Sequence, residues 1–255
     1  MGKHHPECPE RLQVIEDQLI LSRIDYFFTR IDPPLATEEQ LALVHSKDHI
    51  EFVKANSPAE GYYAIDGDTT MNPYTWQAAL RSAGGAIAAV DAVMAGEVKN
   101  AFSCLRPPGH HAEPTQSMGF CFFNNIAIAA KHALVNHGLE RVAVVDFDVH
   151  HGNGTEAALK DEPRALMCSF FQHPFYPYSG SENPAPNMLN VPLPAYSAGP
   201  AVREVVELAW LPRLREFAPQ LILISAGFDA HREDDMGQMG LVESDYAWIT
   251  RQLMT

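Results

Sequence analysis

No CxxC spacing links the four cysteines of this chain, Cys8, Cys104, Cys121 and Cys168. Two of them lie in or beside apolar, strand-like runs. Free buried thiols in a reducing compartment are therefore expected rather than disulfides. Positive charge is also scarce: 18 Lys and Arg stand against 32 Asp and Glu, a formal charge of −14. That balance argues against a nucleic-acid backbone as partner and suits a cationic substrate. No uninterrupted apolar run approaches a membrane span, and the first residues carry no signal-peptide pattern. The expected compartment is the cytoplasm, with no membrane partner. Internal repeats and low-complexity linkers are absent as well, so residues 1–255 read as a single domain. What the chain does have is an apolar share of 46%, enough for a sizeable α/β core.

The stretch Val142 to Gly154, VAVVDFDVHHGNG, concentrates the chemistry. Val142 to Val145 is a short β-branched run that reads as a strand buried on both faces. Asp146, Asp148 and His150 then follow two residues apart. Alternation along an extended chain would point all three to one side. Uncompensated carboxylates at the end of a buried strand are costly, so the triplet reads as a metal or catalytic site rather than as a helix cap. Gly152 and Gly154 allow a tight turn into the next helix, expected over Thr155 to Lys160.

Before that stretch, HHPECPERL leads into a helix expected from Pro9 to Leu21, with Glu10 at its positive end. By position alone Arg11 reads as a surface residue, and His4 and His5 as solvated loop histidines. Thr37 and Gln40 have the spacing of a capping box. A helix is expected over Lys47 to Lys54, and His45 and His49 read as structural because no acid accompanies them. Ser57 to Pro73, with Asp66 and Asp68, reads as a loop suited to a pocket rim. Met71 to Ala95 reads as a long helix whose Gly84-Gly85 pair marks close packing. Ala101 to Leu105 reads as a short strand. RPPGHH would then place His110 and His111 at that strand's end, on a stiff bend, as an acid/base pair. GFCFFNN opens a further helix, and its phenylalanines offer core or a pocket wall.

After the central stretch, Ala165 to Phe171 reads as a buried strand. Gln172 to Ala198 reads as a long loop, with prolines at 174, 177, 184, 186, 192 and 194. Pro200 to Phe217 reads as a helix. Leu221 to Ser225 reads as a strand that delivers Asp229 just past its end. The last helix starts near Glu243. This βαβα alternation predicts a mostly parallel sheet with helices on both faces. All the candidate groups then follow strand C-termini, where ligands bind in open α/β sheets.

Four motifs in order, RPPGHH, GFCFFNN, VDFDVHHGNG and SAGFDAH, resemble the zinc-dependent histone deacetylase superfamily. HPECPERL resembles its class II and bacterial branch, which includes amidohydrolases acting on acetylated amines. The resemblance spans nearly the whole chain. It implies the three-layer arginase/deacetylase α/β fold and hydrolysis of N-acetyl amides, either acetyl-lysine in protein or peptide, or an acetylated polyamine. It also implies one zinc ion per chain on Asp148, His150 and Asp229. His110 and His111 match the tandem acid/base histidines, Asp146 the partner of His110, and Asn153 the position that pairs with His111. Gly119, Phe120 and Tyr176 match the substrate tunnel. Arg11 matches an arginine lining an internal channel, against its surface reading. Asp146, Asp148 and Ser169 match a structural potassium site. Spacing alone leaves Zn²⁺, Mn²⁺ and Fe²⁺ open.

Two departures stand out. The family has a strand before the HPE motif and, after the last helix, a glycine-rich loop whose tyrosine stabilises the oxyanion. Neither is present between residues 1 and 255. Loss of one such donor costs roughly 10²–10³ in turnover, so impaired activity is expected, with Tyr62, Tyr63 and Tyr178 as substitute donors. Exposed sheet edge and self-association into a homo-oligomer are expected too. A non-catalytic acyl-lysine-binding module and a manganese ureohydrolase are the competing readings, and the second lacks its paired Asp-rich motifs here.

Overall fold

The structure is a computed structural model and describes residues 1–2 and 4–255. Two compact units divide the chain, residues 1–129 and 130–255. Among the described residues no helix is long and apolar enough to cross a membrane.

In the first unit α1 spans Glu10–Leu21 and a 3₁₀ turn follows at Ile24–Phe27. Helix α2, Glu38–Leu41, starts at the expected capping box. Gln40 N–H donates to Thr37 Oγ1 at 3.2 Å, and Thr37 N–H to Gln40 Oε1 at 2.9 Å. Helix α3 spans Lys47–Ala55. The expected loop from Ser57 to Pro73 contains a short antiparallel hairpin, β1 (Tyr63–Ala64) and β2 (Thr70–Met71). Helix α4 runs Thr75–Met94, starting later than Met71 because that residue pairs in β2. A side chain at Gly84 would strike the Pro34 carbonyl, and one at Gly85 would strike Leu105, so the pair does mark close packing. Leu41, Ile50, Val53, Met71, Ile87, Phe122 and Phe123 lie in this unit's core.

The strand expected at Ala101 to Leu105 is not formed, and those residues are irregular. A strand exists only where a neighbour completes its hydrogen-bond ladder. Here none does, and Phe102 is exposed. His110 and His111 thus sit in a turn after an irregular segment, not at a strand's end.

Helix α5, Asn125–Val135, carries the chain into the second unit. There β3 (Val142–Asp146), α6 (Asn153–Leu159) and β4 (Ala165–Gln172) follow in turn. Next comes β5, Met188–Leu193, inside the segment read as loop. Pro192 hides it, since proline suits only an edge strand, and β5 is an edge strand. The helix expected from Pro200 to Phe217 forms in three pieces. These are α7 (Gly199–Val205), a π-helical turn (Val206–Trp210) and α8 (Leu211–Phe217). The widened turn sits just before Pro212, which has no N–H to donate to the preceding turn. Strand β6 (Leu221–Ser225) and helix α9 (Glu243–Leu253) complete the unit.

The sheet order is β5-β4-β3-β6, and all three pairings are parallel. Strands β3 and β4 are buried throughout. Val145, Leu166, Phe170, Val202, Trp210 and Ile249 share the core beneath the sheet, with the Trp210 indole stacked 5.5 Å from Phe170. Register places Asp146 beside Ser169 of β4 and Ser225 of β6. The loops after β3 and β6 therefore leave the sheet at one edge, which sets the functional groups of this unit.

Candidate metal centre and histidine pair

Strand β3 ends at Asp146, so strict alternation ends there too. Asp146 is buried and accepts the Asp148 N–H at 3.1 Å. The next turn repeats the device, with Asp148 Oδ1 accepting the His150 N–H at 2.8 Å. Each short side chain caps the amide two residues on, and the loop curls instead of extending. This corrects the expectation that Asp146, Asp148 and His150 converge. At this edge of the sheet the ligand-capable cluster is Asp148, His150 and Asp229, whose ligand atoms all lie within 4.8 Å of one another.

His150 Nδ1 stands 3.0 Å from Asp148 Oδ1 and 3.0 Å from Asp229 Oδ2. The other oxygen of Asp229 accepts the Val149 N–H at 2.9 Å, which ties the loop after β6 to the loop after β3. Burial pulls the His150 imidazole down, but hydrogen bonds and charge from the two carboxylates outweigh it and push it up to about 10. Burial and the charge of Asp148 raise Asp229 above the usual carboxylate range. Two carboxylates held on one imidazole in a buried place call for a cation. Two oxygens and one nitrogen form a donor set that suits a divalent ion with a position left open. Phe175 stacks on the His150 ring at 5.4 Å, and Tyr176 meets it edge-on at 6.1 Å. Asn153 is buried at the start of α6, and Ser169 donates to Asn190 Oδ1 at 3.2 Å.

The histidine pair belongs to the first unit. The His110 and His111 rings are buried, with centroids 4.1 Å apart. Asn124 Nδ2 donates to the carbonyls of His110 and Ala112 at 3.4 and 3.2 Å, which fixes the backbone that carries them. Gly119 has φ +56°, and a side chain there would strike the His111 ring; only glycine meets both demands. Phe120 follows at φ +68°, its N–H donating to Thr69 Oγ1 at 3.1 Å. The His5 ring meets Phe120 edge-on at 4.6 Å.

Arg11 is half-exposed and reaches Glu7 at 3.1 Å. Sequence reasoning missed that Glu7 is buried and held by Arg106, at 2.6 Å to Oε1 and 2.7 Å to Oε2. The only signal was that each residue sits inside a motif, HPE and RPPGHH. His45 and His49 are structural, as expected. Asn124 N–H donates to His45 Nε2 at 2.8 Å, and His49 Nε2 pairs with the Phe122 carbonyl at 3.0 Å. Tyr62, Tyr63 and Tyr178 are exposed. All four cysteines are free.

Residues 5–255 match the histone deacetylase domain. The chain belongs to the histone deacetylase family. It is 41% identical to a histone deacetylase-like amidohydrolase of Pseudomonas aeruginosa, over 96% of this chain and 66% of the relative. It is 37% identical to a probable deacetylase of Archaeoglobus fulgidus, over 97% and 70% of the two chains. Identity to the human polyamine deacetylase HDAC10 is 36%, covering 97% of this chain and 40% of that protein. The chain thus spans only part of these relatives' length. The crystal structure of the HDA15 HD domain superposes with a TM-score of 0.92 at 33% identity, covering 99% of this chain and 76% of that one. The histone deacetylase fold, an α/β arrangement of the arginase/deacetylase kind, is the fold of this chain.

Proposed function

We propose that this chain hydrolyses the amide bond of N-acetylated amines and releases acetate, with acetyl-lysine in protein or peptide as the substrate class. The observation that carries the reading is the cluster of Asp148, His150 and Asp229. These residues would hold one zinc ion, which when bound polarises an amide carbonyl and lowers the pKa of a bound water. His110 and His111 are the acid/base groups. One accepts the proton of the attacking water, the C–N bond breaks, and the pair returns a proton to the leaving amine. Asp146 and Asn153 serve as their partners in the same proposal. In the same reading Gly119, Phe120 and Tyr176 would line the path of the acyl chain, Arg11 would border the internal channel, and Asp146, Asp148 and Ser169 would hold a structural potassium ion.

An acetylated polyamine is the second reading. The formal charge of −14 and the likeness to a polyamine deacetylase favour it.

The test is turnover of a fluorogenic acetyl-lysine amide by purified, zinc-loaded protein, with metal content measured on the same sample and acetylspermidine as competing substrate. Zinc near one per chain with turnover that Asp148→Ala abolishes is the expected result. Zinc without product from either substrate would instead mark an acyl-lysine-binding module, and absence of zinc would refute the metal site.

A further inference from the structure

Two histidines stand side by side after β3, and the metal cluster uses only the first. His151 is 1% exposed, deeper than His150. Its Nε2 lies 2.6 Å from Glu156 Oε2 on α6. The carboxylate is close to Nε2 without an in-line hydrogen bond to it, so distance and enclosure define this pair rather than hydrogen-bond direction.

Glu156 is tied further inward. Asn190 Nδ2 donates to Glu156 Oε2 at 2.9 Å and to the Gly180 carbonyl at 3.0 Å, while Asn190 Oδ1 accepts from Ser169 Oγ. Ser169 and Asn190 are register partners in β4 and β5, and Ser169 is also the register partner of Asp146 in β3. A polar chain therefore runs from Ser169 on β4 through Asn190 on the edge strand β5 to Glu156, and ends on His151, the residue next to His150.

The imidazole is enclosed on its other sides as well. Gly180 has φ +87°, and a Cβ there would lie 2.6 Å from three atoms of the His151 ring. The Phe171 ring is 4.7 Å away. The backbone on either side is pinned, since Gln172 N–H donates to the Val149 carbonyl at 2.8 Å and Asn153 N–H to the His151 carbonyl at 2.9 Å.

Burying a polar ring and a carboxylate costs more than burying an apolar side chain of the same size. Packing alone does not account for the choice. A rigid frame behind a ligand loop does, because groups just outside a metal's ligands set the pose and the affinity of those ligands.

We infer that His151 and Glu156 form a positioning pair that locks the Asp148–His151 loop against β4 and β5 and so holds His150 in its metal-binding pose. The inference rests on the reading of Asp148, His150 and Asp229 as the metal site. The test uses the full chain, with zinc affinity from competition against a chromophoric chelator, circular dichroism, thermal melting, and kcat and KM with the acetyl-lysine amide. Glu156→Ala should weaken zinc binding by about 10–100-fold while the dichroism spectrum stays native. It should lower kcat more than it changes KM, and Glu156→Gln should restore most of the affinity. Gly180→Ala, which presses the ring from its other side, should weaken zinc in the same direction.

A purely structural pair predicts a lower melting temperature with parental zinc affinity in folded Glu156→Ala, and that result overturns the inference alone. If Glu156→Ala does not fold, Gly180→Ala decides, and parental zinc affinity in that variant overturns the inference equally. A parent protein that binds no zinc removes the metal reading and the inference together.

Discussion

Two buried histidines, one in each unit, show what decides an imidazole's chemistry. His45 and His150 are both enclosed. Around His45 the polar partners are backbone groups: Nδ1 pairs with the Glu113 carbonyl at 3.1 Å, and Nε2 accepts the Asn124 N–H. Burial, then the neighbouring charge of His49, drives its pKa down to about 3. Around His150 the partners are two carboxylates, and its pKa rises instead. Amide dipoles fix one tautomer and leave the ring neutral, whereas carboxylates call for positive charge. The first arrangement is a structural strut and the second the candidate cation site. Burial is common to both and distinguishes nothing.

The largest expected effect breaks the second arrangement. Asp148→Ala removes one carboxylate, and zinc affinity should fall by more than the roughly 10–100-fold typical of groups outside the ligand set, with turnover at background. Affinity within tenfold of the parent would mean that the carboxylate is not a ligand.

The next effect sharpens the contrast by adding the cation. At a thousandfold excess over Kd, zinc should stabilise the protein by about 4 kcal/mol relative to chelated protein. Urea unfolding with and without chelator measures this, and at the same zinc concentration the difference should fall below about 1.4 kcal/mol in Asp148→Ala. A His45→Gln variant should keep it.

A third prediction concerns the strut. His45 binds its proton near pH 3 when folded and near 6.5 when unfolded. The unfolded chain therefore takes up more protons between those values. This contribution to stability falls as pH drops from about 6.5 towards 3, by up to roughly 1.4 kcal/mol per pH unit. Unfolding at pH 7 and pH 5 measures it, and His45→Gln should flatten the acid limb. An unchanged limb would mean that His45 is protonated in the folded protein.

A fourth prediction tests the packing beneath the cluster of Asp148, His150 and Asp229, and its readout is the small difference between two leucines. Leu166 on β4 is fully buried, whereas Leu223 on β6 is half-buried at an edge. Leu166→Ala should cost about 2–5 kcal/mol and Leu223→Ala about 1–2 kcal/mol. Equal costs would show that β6 is covered in solution.

Much of this was legible beforehand. Thr37 and Gln40 announced a helix start because both partners lie three residues apart on one chain. The valines of β3 announced a central strand because only a strand covered on both faces is apolar throughout. His45 and His49 announced struts because no acid accompanies them locally. Other features were not legible. Ala101 to Leu105 has strand composition without a ladder partner, and β5 is a strand despite its proline because it lies at an edge. The side chain of Asp146 turns to the Asp148 amide because the strand stops there. The Glu7–Arg106 and His151–Glu156 pairs join residues whose partners no periodicity announces.

The sequence by itself determined which residue types meet at the ends of β3 and β6, because motif spacing and apolar periodicity are local properties of a chain. Motif resemblance named Asp229 with Asp148 and His150, whereas strand alternation pointed to Asp146; only the tertiary structure brings the ligand atoms of Asp148, His150 and Asp229 within 4.8 Å of one another. A carboxylate's role depends on which backbone amides and charges lie within about 3 Å of it, and that neighbourhood exists only once β6 has paired with β3.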